Sequence, residues 1–357
     1  MKIYIITLHS IYNPGSALQA FGLQRFLESN GYDTEIIDYR PSYSTIGRNK
    51  IKGYLRKVLF YKNERKVKQK YESFMDCEMK LSLNTYTSFD QLKQNYNDDG
   101  IFIAGSDQLW NADYDCGRDP AYYLDFTDSE KKMSYATSIG KKHISNDEIN
   151  RIVKSIAHFR TVSVREKSTS EILASELGRD VFWVCDPVFL LDRIEYSKMT
   201  RDIEKEKYAL VYLSSESRIL DAVVEDIKKK TGYKIILIGG NRTRCACDEH
   251  IKDLGPYDFL SLIKNSELVI SSSFHATAFS HIFHKKFGAI LPNANGERIE
   301  SLLALTGLSS HIIKYIDGIP VIYDNINYSS VDASLDEFIC DSKKILLNGI
   351  MGMDNGS

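Results

Sequence analysis

The chain has 357 residues, which is too long for one ordinary core and suits two domains of roughly 150 to 200 residues each. Hydrophobic residues make up 43% of the chain and aromatic residues 11%, a content that excludes a disordered protein. Lys and Arg number 46 against 48 Asp and Glu. The resulting net charge of -2 gives no reason to expect nucleic acid as a partner.

Cysteine usage and apolar segments bear on where the protein works. Six cysteines are scattered through the chain, which is typical of a reduced compartment and not of a disulfide framework. The apolar N-terminal run MKIYIITL is too short for a signal peptide, and no stretch approaches the roughly 20 apolar residues that cross a bilayer. We therefore expect a cytoplasmic protein whose membrane contact would be peripheral, at the inner face of the cell membrane.

The first half of the chain alternates strand-like runs with helical patterns. After the first run, residues 16–30 predict a helix that begins at the capping-box spacing of Ser16 and Gln19 and ends before Gly31. Later strand-like runs read DTEIIDY, GIFIAGSD, MSYATSIG and TVSVRE. This alternation predicts βαβ units and a largely parallel sheet.

A basic segment interrupts this pattern. Residues 48–70 hold ten Lys or Arg and a single Glu, and their apolar residues recur at helical spacing. We predict a helical insertion at about residues 46–75. A solvated helix packed on the first domain is the favoured interpretation, and contact with an anionic membrane or a lipid-linked acceptor is the alternative.

The second half repeats the alternation after a polar stretch at residues 192–207, with strand-like runs YALVYLS, YKIILIGG, ELVISSS and FGAILP. We predict a first domain at 1–195, a second at 196–330, and a C-terminal helix and tail at 331–357. The fold class is α/β, with two Rossmann-like domains facing a cleft and a terminal helix that packs back on the first domain. Ligands of such sheets bind at the carboxyl ends of the strands.

The strongest candidate site is SSSFHAT at residues 271–277, where a predicted strand ends and a helix begins. Free backbone N–H groups and hydroxyls at a helix N-terminus can bind phosphate or carboxylate. His275 can serve there as general acid or base because its ordinary pKa lies near neutrality. Arg298 opens a later helix and would supply a second cation. The alternatives are a capped helix with a hydrogen-bonded histidine and a surface arginine.

Candidate residues of the first domain follow its predicted strands. GSDQLWN at residues 105–111 follows a buried run, so Asp107 could hold or activate a sugar hydroxyl and Trp110 could stack on a sugar. Arg165 ends another run and could bind an anion through two N–H groups, or form a buried pair with Glu166. The loops at residues 12–19 and 138–143 lie after strands as well, and ordinary turn or capping roles remain open for all these residues.

Two groups of potential metal ligands are discounted. Cys245, Cys247 and His250 form one, and His275, His281 and His284 form the other. His281 and His284 would share a helix face, but His275 would point elsewhere. We expect no metal site.

These motifs resemble those of polysaccharide pyruvyl transferases, and the resemblance covers about residues 1 to 310. The segments that carry it, in chain order, are Tyr12-Asn13, Leu18-Gln19-Ala20, Gly105 to Asn111, Ser138-Ile139-Gly140, Ser163 to Glu166, Asp186-Pro187-Val188 and Ser272 to Ala278. The resemblance implies a GT-B-like fold, phosphoenolpyruvate as donor, a saccharide acceptor, commonly lipid-linked or part of a cell-surface glycan, and no cofactor.

The resemblance implies that arginines and a histidine bind the donor, which correspond here to Arg165 and His275, with Arg298 as an addition. The other site residues are expected from their positions after predicted strands. His275 would transfer a proton and Asp107 would orient or activate a hydroxyl. The donor-binding set comprises Arg165, Arg298, Ser272, Ser273, Thr277 and Ser138. The acceptor-binding set comprises Asn13, Ser16, Gln19, Ser106, Gln108, Trp110 and Asn111. Some relatives carry Arg and Gly where this chain has Ser273 and Ala276, so one cation of the donor pocket would be missing or come from elsewhere.

Two other functions compete with this one. A GT-B glycosyltransferase would use a nucleotide sugar and usually places a carboxylate after the phosphate-binding helix, but residues 271–296 contain no Asp or Glu. A non-catalytic glycan- or phosphate-binding protein would need no histidine at the anion site.

Overall fold

A computed structural model describes residues 1–45, 50–96, 99–203, 206–213, 217, 219–239, 245–292, 296–314 and 321–354, without the side chains of 44, 45 and 50–63. The chain divides into two units. The first unit comprises Met1–Glu64, Tyr71–Leu191 and Glu337–Ser357, and the second comprises Arg65–Lys70 and Asp192–Asp336. The predicted domain boundaries follow residues 195 and 330, whereas in the structure the corresponding boundaries follow Leu191 and Asp336.

The first unit is a parallel sheet with helical crossovers. Its elements are β1 (Lys2–Ile6), α1 (Pro14–Ser29), β2 (Asp33–Ile36), α2 (Lys50–Glu78), α3 (Phe89–Asn95), β3 (Ile101–Ala104), β4 (Lys132–Ser134), α4 (Asn146–Ile156), β5 (Ser163–Val164), α5 (Lys167–Leu177) and β6 (Phe182–Trp183). The order is β2-β1-β3-β4, and β5 pairs with β6. A bridge between Thr137 and Val164 joins the two groups of strands. The buried runs of β1 and β3 are almost wholly apolar, as expected of strands covered on both faces.

Helix α1 begins earlier than the sequence predicts. Asn13 is its N-cap, because its side-chain oxygen accepts hydrogen bonds from the backbone N–H of Gly15 at 2.9 Å and of Ser16 at 3.3 Å. The predicted capping by Ser16 is therefore wrong, and that hydroxyl is used elsewhere. The helix ends as predicted before Gly31, whose φ of +85° suits a residue without a side chain.

From Lys50 onwards the basic insertion is helical, as predicted, and forms part of α2. The sequence predicts the whole insertion in the first domain, but Arg65–Lys70 are grouped with the second unit. There the Lys70 ammonium lies 2.8 Å from a carboxylate oxygen of Asp258. Residues 46–49 lie outside the described residues, and so do the side chains of 50–63 that form the predicted apolar stripe. Of the helices described, none has both the length and the apolar character that a bilayer crossing requires.

The second unit is another parallel sheet with helical crossovers. Its elements are α6 (Arg193–Lys198), β7 (Tyr208–Tyr212), α7 (Leu220–Thr231), β8 (Lys234–Ile238), β9 (Glu249–Ile251), α8 (Pro256–Asn265), β10 (Leu268–Ser271), α9 (Phe274–Ile282), β11 (Lys286–Ala289) and α10 (Glu297–Leu305). The strand order is β11-β10-β7-β8-β9. The prediction of two Rossmann-like units is thus confirmed.

The terminal helix α11 (Tyr328–Asp354) packs on the first unit from Glu337 onwards, as predicted. The hydroxyl of Ser342 accepts a hydrogen bond from the backbone N–H of Cys185 at 2.9 Å. Phe338 packs on Trp183 with 4.5 Å between ring centroids. At Gly349 an added Cβ would lie 3.0 Å from Met133 and from Thr161, so the close approach favours glycine.

Candidate functional site

The carboxyl ends of the first unit's strands gather buried polar side chains. The Ser106 hydroxyl, just after β3, donates to the backbone carbonyl of Ala136 at 3.0 Å and lies 3.1 Å from a carboxylate oxygen of Asp186. Thr7, just after β1, donates to the Ser106 carbonyl at 2.8 Å, and the Gln19 amide donates to the Thr7 hydroxyl at 2.9 Å. The network therefore joins two predicted acceptor residues, Gln19 and Ser106, in the buried interior at this end of the sheet.

Asp107 stands at the centre of this edge. Its side chain accepts hydrogen bonds from the Ser16 hydroxyl and, at 2.8 Å, from the backbone N–H of Gln108. A guanidinium nitrogen of Arg165 lies 3.8 Å away. Asp107 has a φ of +80°, in the left-handed region that few residues other than glycine adopt. Such backbone strain tends to occur at functional sites, where the surrounding contacts hold it in place.

Arg165 lies in the interior of the first unit, with 2% of its side chain exposed. It donates a hydrogen bond to Asp186, which follows β6, and lies 3.4 Å from the Ser106 hydroxyl. Burial lowers the pKa of Arg165, but neighbouring carboxylates, above all Asp186 and Asp107, outweigh burial and raise the pKa above its usual value. The geometry matches the predicted alternative of a buried ion pair, except that the partner is Asp186 and not Glu166.

Glu166 binds the loop after β4 instead. Its carboxylate accepts hydrogen bonds from the Ser138 hydroxyl and, at 3.1 Å, from the backbone N–H of Gly140. Gly140 has a φ of +71°, and an added Cβ would lie 2.0 Å from the side-chain amide of Gln108. Ser138 is fully buried and is thus engaged within the first unit, although the sequence predicts it as a donor contact.

The predicted stacking residue Trp110 is not available to a sugar. Its side chain is fully buried, its indole N–H donates to the carbonyl of Tyr122 at 3.1 Å, and its ring stacks on Tyr123. Asn111 is also fully buried, and its side-chain oxygen accepts the N–H of Asp113 at 3.0 Å. Both side chains therefore shape the loop after β3 from within.

The predicted anion site lies in the second unit, where β10 ends and α9 begins. Ser273 is the N-cap: its hydroxyl accepts the N–H of Ala276 at 3.4 Å, and its own N–H donates to the Ser271 hydroxyl at 2.9 Å. The Thr277 hydroxyl donates to the Ser273 carbonyl at 3.1 Å. Capping is therefore confirmed, and the first helical turn carries His275, which is 7% exposed.

Arg298 and His275 are both near Phe274. The Arg298 guanidinium lies 5.8 Å from the centroid of the Phe274 ring, in cation–π geometry. The rings of Phe274 and His275 meet edge to face at 5.4 Å. Phe274 thus contacts both the imidazole of His275 and one of the two predicted donor arginines, at the N-terminal end of α9.

His281 differs from His275 although both lie on α9. It is 2% exposed, and its ring nitrogens lie 2.8 Å from the Thr277 carbonyl and 3.3 Å from the Thr306 hydroxyl. Burial lowers the pKa of His281 to about 4. A neutral, buried imidazole of this kind stabilises the helix from within. Among the described residues, His, Cys, Asp and Glu form no group of three that could hold a metal ion.

One buried polar cluster is not predicted from the sequence. His9 follows β1, is fully buried, and lies 2.9 Å from a carboxylate oxygen of Asp38 and 3.2 Å from the Thr7 carbonyl. Arg40 donates to the same carboxylate at 2.6 Å. The position of His9 just after a strand was a usable signal, but nothing in the sequence pointed to Asp38 as its partner.

Known proteins resemble this chain at two levels. The model of the family described as polysaccharide pyruvyl transferase matches residues 13–293, a range that includes Asp107, Arg165 and His275. No curated protein matches the sequence significantly.

Several solved structures share the fold. UDP-GlcNAc 2-epimerase from Neisseria meningitidis, bound to UDP-GlcNAc, has a TM-score of 0.58 and 9% identity over 99% of this chain and 100% of its own. The Rickettsia bellii UDP-N-acetylglucosamine 2-epimerase has a TM-score of 0.56 and 11% identity over 99% and 97% of the two chains. S. aureus MnaA, in a co-structure with UDP, has a TM-score of 0.55 and 14% identity over 98% of this chain and 98% of its own. At such identities the likeness concerns the fold alone, and it agrees with the predicted GT-B-like class.

Proposed function

The chain belongs to the polysaccharide pyruvyl transferase family, and we propose that it transfers the enolpyruvyl unit of phosphoenolpyruvate to a sugar as a pyruvate ketal. The family membership supports a transferase that acts on a saccharide. The position of His275 in the first turn of α9, with Arg298 against the neighbouring Phe274, supports phosphoenolpyruvate as the donor. An imidazole, a guanidinium and a helix N-terminus together suit an anionic donor that must be protonated.

Binding of the donor is assigned to the second unit. Phosphoenolpyruvate carries a phosphate and a carboxylate, and an arginine can hold either through two N–H groups. The positive end of the α9 dipole adds to this attraction. Ser272 and Ser273 supply hydroxyls at the same strand end, and Ser273 is also the N-cap. Because Arg165 is engaged with Asp186, we assign the cationic contact to Arg298 and give Arg165 a positioning role beside Asp107.

Proton transfer is assigned to His275. The imidazolium would protonate the methylene carbon of phosphoenolpyruvate, which leaves an oxocarbenium-like centre at the adjacent carbon. A first sugar hydroxyl adds there and loses its proton to a base. Loss of the phosphate group then allows a second hydroxyl to add, which closes the ketal. Of the two protons that the sugar hydroxyls lose, one replaces the proton that His275 gave to the methylene carbon, which becomes a methyl group. The other leaves with the phosphate.

Asp107 is the proposed group that orients or deprotonates the attacking hydroxyl. The Ser16 hydroxyl and the Arg165 guanidinium hold its carboxylate at the carboxyl edge of the first unit's sheet. Gln19 and Ser106 are joined through hydrogen bonds of the Thr7 hydroxyl in the interior beside this edge. The acceptor would be a sugar of a polysaccharide, such as a capsular or exopolysaccharide, or of its lipid-linked precursor at the inner face of the cell membrane. Residues 48–70 would then contact the anionic lipid.

The test is phosphate release from phosphoenolpyruvate across a panel of galactose-, glucose- and mannosamine-containing acceptors. We expect release to depend on one class of sugar, with a pyruvylated product of matching mass. Release that is the same with and without every sugar would contradict the proposal. UDP release from UDP-sugars, tested in parallel, would instead support a glycosyltransferase.

A further inference from the structure

An open cavity of about 510 Å³, lined mainly by charged residues, lies at the surface of the first unit, beyond the residues assigned to the candidate site. Three segments form it: the loop after β3, the loop after β4, and the beginning of α4. Its volume falls within the roughly 300 to 1,000 Å³ of small-molecule sites. Its charged lining residues are Asp113, Arg118, Lys141, Asp147, Glu148 and Arg151.

The cavity is held open by hydrogen bonds and ion pairs between its walls. The Lys141 ammonium lies 2.8 Å from the Asp113 carboxylate and 3.2 Å from that of Glu148, so it joins both loops to α4. Glu148 also accepts the backbone N–H of Ala112 at 3.0 Å. Arg151 donates to the Gly117 carbonyl at 2.5 Å. The walls are thus fixed before any ligand arrives, which reduces the entropy cost of binding.

The charges of the lining point to a ligand that both donates and accepts hydrogen bonds. Three lining cations, at Arg118, Lys141 and Arg151, are matched by three carboxylates. Such a balance gives little attraction for a highly charged anion such as a nucleic acid or a pyrophosphate. A sugar suits it, because each hydroxyl donates to a carboxylate and accepts from a guanidinium or an ammonium.

Arg118 is the lining residue best placed to recognise a ligand. It is exposed, and the described part of the structure gives its guanidinium no hydrogen bond or ion pair. Tyr114, four positions earlier in the same loop, is 47% exposed but does not line the cavity. Lys141 and Arg151, in contrast, already contact partners within the cavity wall.

We propose that this cavity binds a neutral sugar residue of the acceptor glycan, through Arg118 and the carboxylates of Asp113 and Asp147. The identification of this glycan as the acceptor rests on the proposed function. Binding of a saccharide in the cavity does not depend on which reaction follows. A subsite of this kind would select the glycan by a sugar adjoining the one that is modified. Disaccharides would then be better substrates than the corresponding monosaccharides.

The test uses the full chain and methyl glycosides of galactose-, glucose- and mannosamine-containing disaccharides. Binding is measured by calorimetry, without phosphoenolpyruvate. For the disaccharide that binds wild type most tightly, we expect Arg118→Ala to weaken binding roughly 10- to 100-fold, as loss of a hydrogen bond to a charged group does. Asp113→Asn should weaken it less. The matched control is Arg160→Ala, because Arg160 is 61% exposed in the same unit and pairs only loosely with Glu130.

The outcomes separate this inference from the proposed function. Equal binding by Arg118→Ala and Arg160→Ala, or no binding of any disaccharide by wild type, would overturn the subsite. Weakened binding by Arg118→Ala would support the subsite even if phosphoenolpyruvate gave no phosphate with any sugar. Where turnover is found, the subsite predicts a higher KM for the disaccharide in Arg118→Ala at nearly unchanged kcat, and an unchanged KM for phosphoenolpyruvate.

Discussion

Asp186 accepts a hydrogen bond from the guanidinium of Arg165 in the interior of the first unit, at the carboxyl ends of β5 and β6. Both side chains are almost completely removed from solvent. The same guanidinium lies 3.8 Å from Asp107, so the pair also fixes the residue to which we assign activation of the sugar. A contact of this kind serves stability and the site together, and the two roles can be separated by measurement.

Arg165→Ala should destabilise the protein strongly. Removing one member of a buried ion pair leaves a buried, uncompensated charge on Asp186, which costs about 3 to 5 kcal/mol. The surface pair of Arg160 and Glu130 should contribute only about 0 to 1 kcal/mol. Urea unfolding of Arg165→Ala and Arg160→Ala measures both. Equal midpoints would show that the Arg165 pair is not needed for the folded state.

Asp38 should make stability depend on pH in acid. Burial raises the pKa of Asp38, but hydrogen bonds, mainly from His9 and Arg40, lower it to about 2. Because this value lies below the unfolded-state pKa of about 4, the stabilisation is complete above about pH 4 and is lost as pH falls towards about 2. The loss should be about 2 kcal/mol, since one pKa unit corresponds to about 1.4 kcal/mol.

Asp38→Asn removes this titrating group. Its free energy of unfolding should be lower than that of wild type above about pH 4, and the difference should shrink on further acidification. Urea unfolding at a series of pH values measures the slope. A slope identical to that of wild type would contradict the assigned pKa.

The positions of most strands along the chain can be predicted from the sequence, whereas the hydrogen-bond partners of individual side chains cannot. The apolar runs around Ile5, Ile103 and Ile270 reveal buried parallel strands, because burial on both faces leaves a continuous apolar signal. The polar residues that follow those runs could therefore be placed at the carboxyl edges. The short strands β6 and β9, whose residues are partly or fully exposed, are not predicted from the sequence.

Partners far apart in the chain could not be read from the sequence. Arg165 pairs with Asp186 and not with the adjacent Glu166, because Glu166 faces the loop after β4. Trp110 looked like a stacking surface after a strand, but the Tyr122 carbonyl satisfies its N–H inside the core. A residue's position after a strand thus predicts that it lies near the edge, and only the packing decides whether it faces a ligand.

Asp107→Asn should impair turnover more than folding. Asn also tolerates a positive φ and keeps an oxygen for the Ser16 hydroxyl, but it cannot take a proton. We expect kcat to fall about 100-fold or more, as for loss of a general base, with KM for phosphoenolpyruvate nearly unchanged. Asp99→Asn is the matched control, because that side chain is 84% exposed. An unchanged kcat in Asp107→Asn would remove this residue from the mechanism.

Arg298→Ala should weaken binding of the donor. Loss of its charged hydrogen bonds should raise KM for phosphoenolpyruvate about 10-fold or more, and Arg298→Lys should recover part of the loss because it keeps the charge. Arg201→Ala serves as control in the same unit, since Arg201 is 75% exposed and pairs with Asp258. If Arg298→Ala and Arg201→Ala have the same KM for phosphoenolpyruvate, the donor lies elsewhere.

In the proposed reaction, His275 protonates an anionic donor at the start of α9. The most direct measurement is phosphate release from phosphoenolpyruvate, in the presence of the best sugar acceptor, by wild type, His275→Gln and the control His158→Gln. We predict sugar-dependent release by wild type and by His158→Gln, and a rate lower by about 100- to 10,000-fold in a folded His275→Gln protein. Equal rates in all three proteins would contradict the assignment of proton transfer to His275.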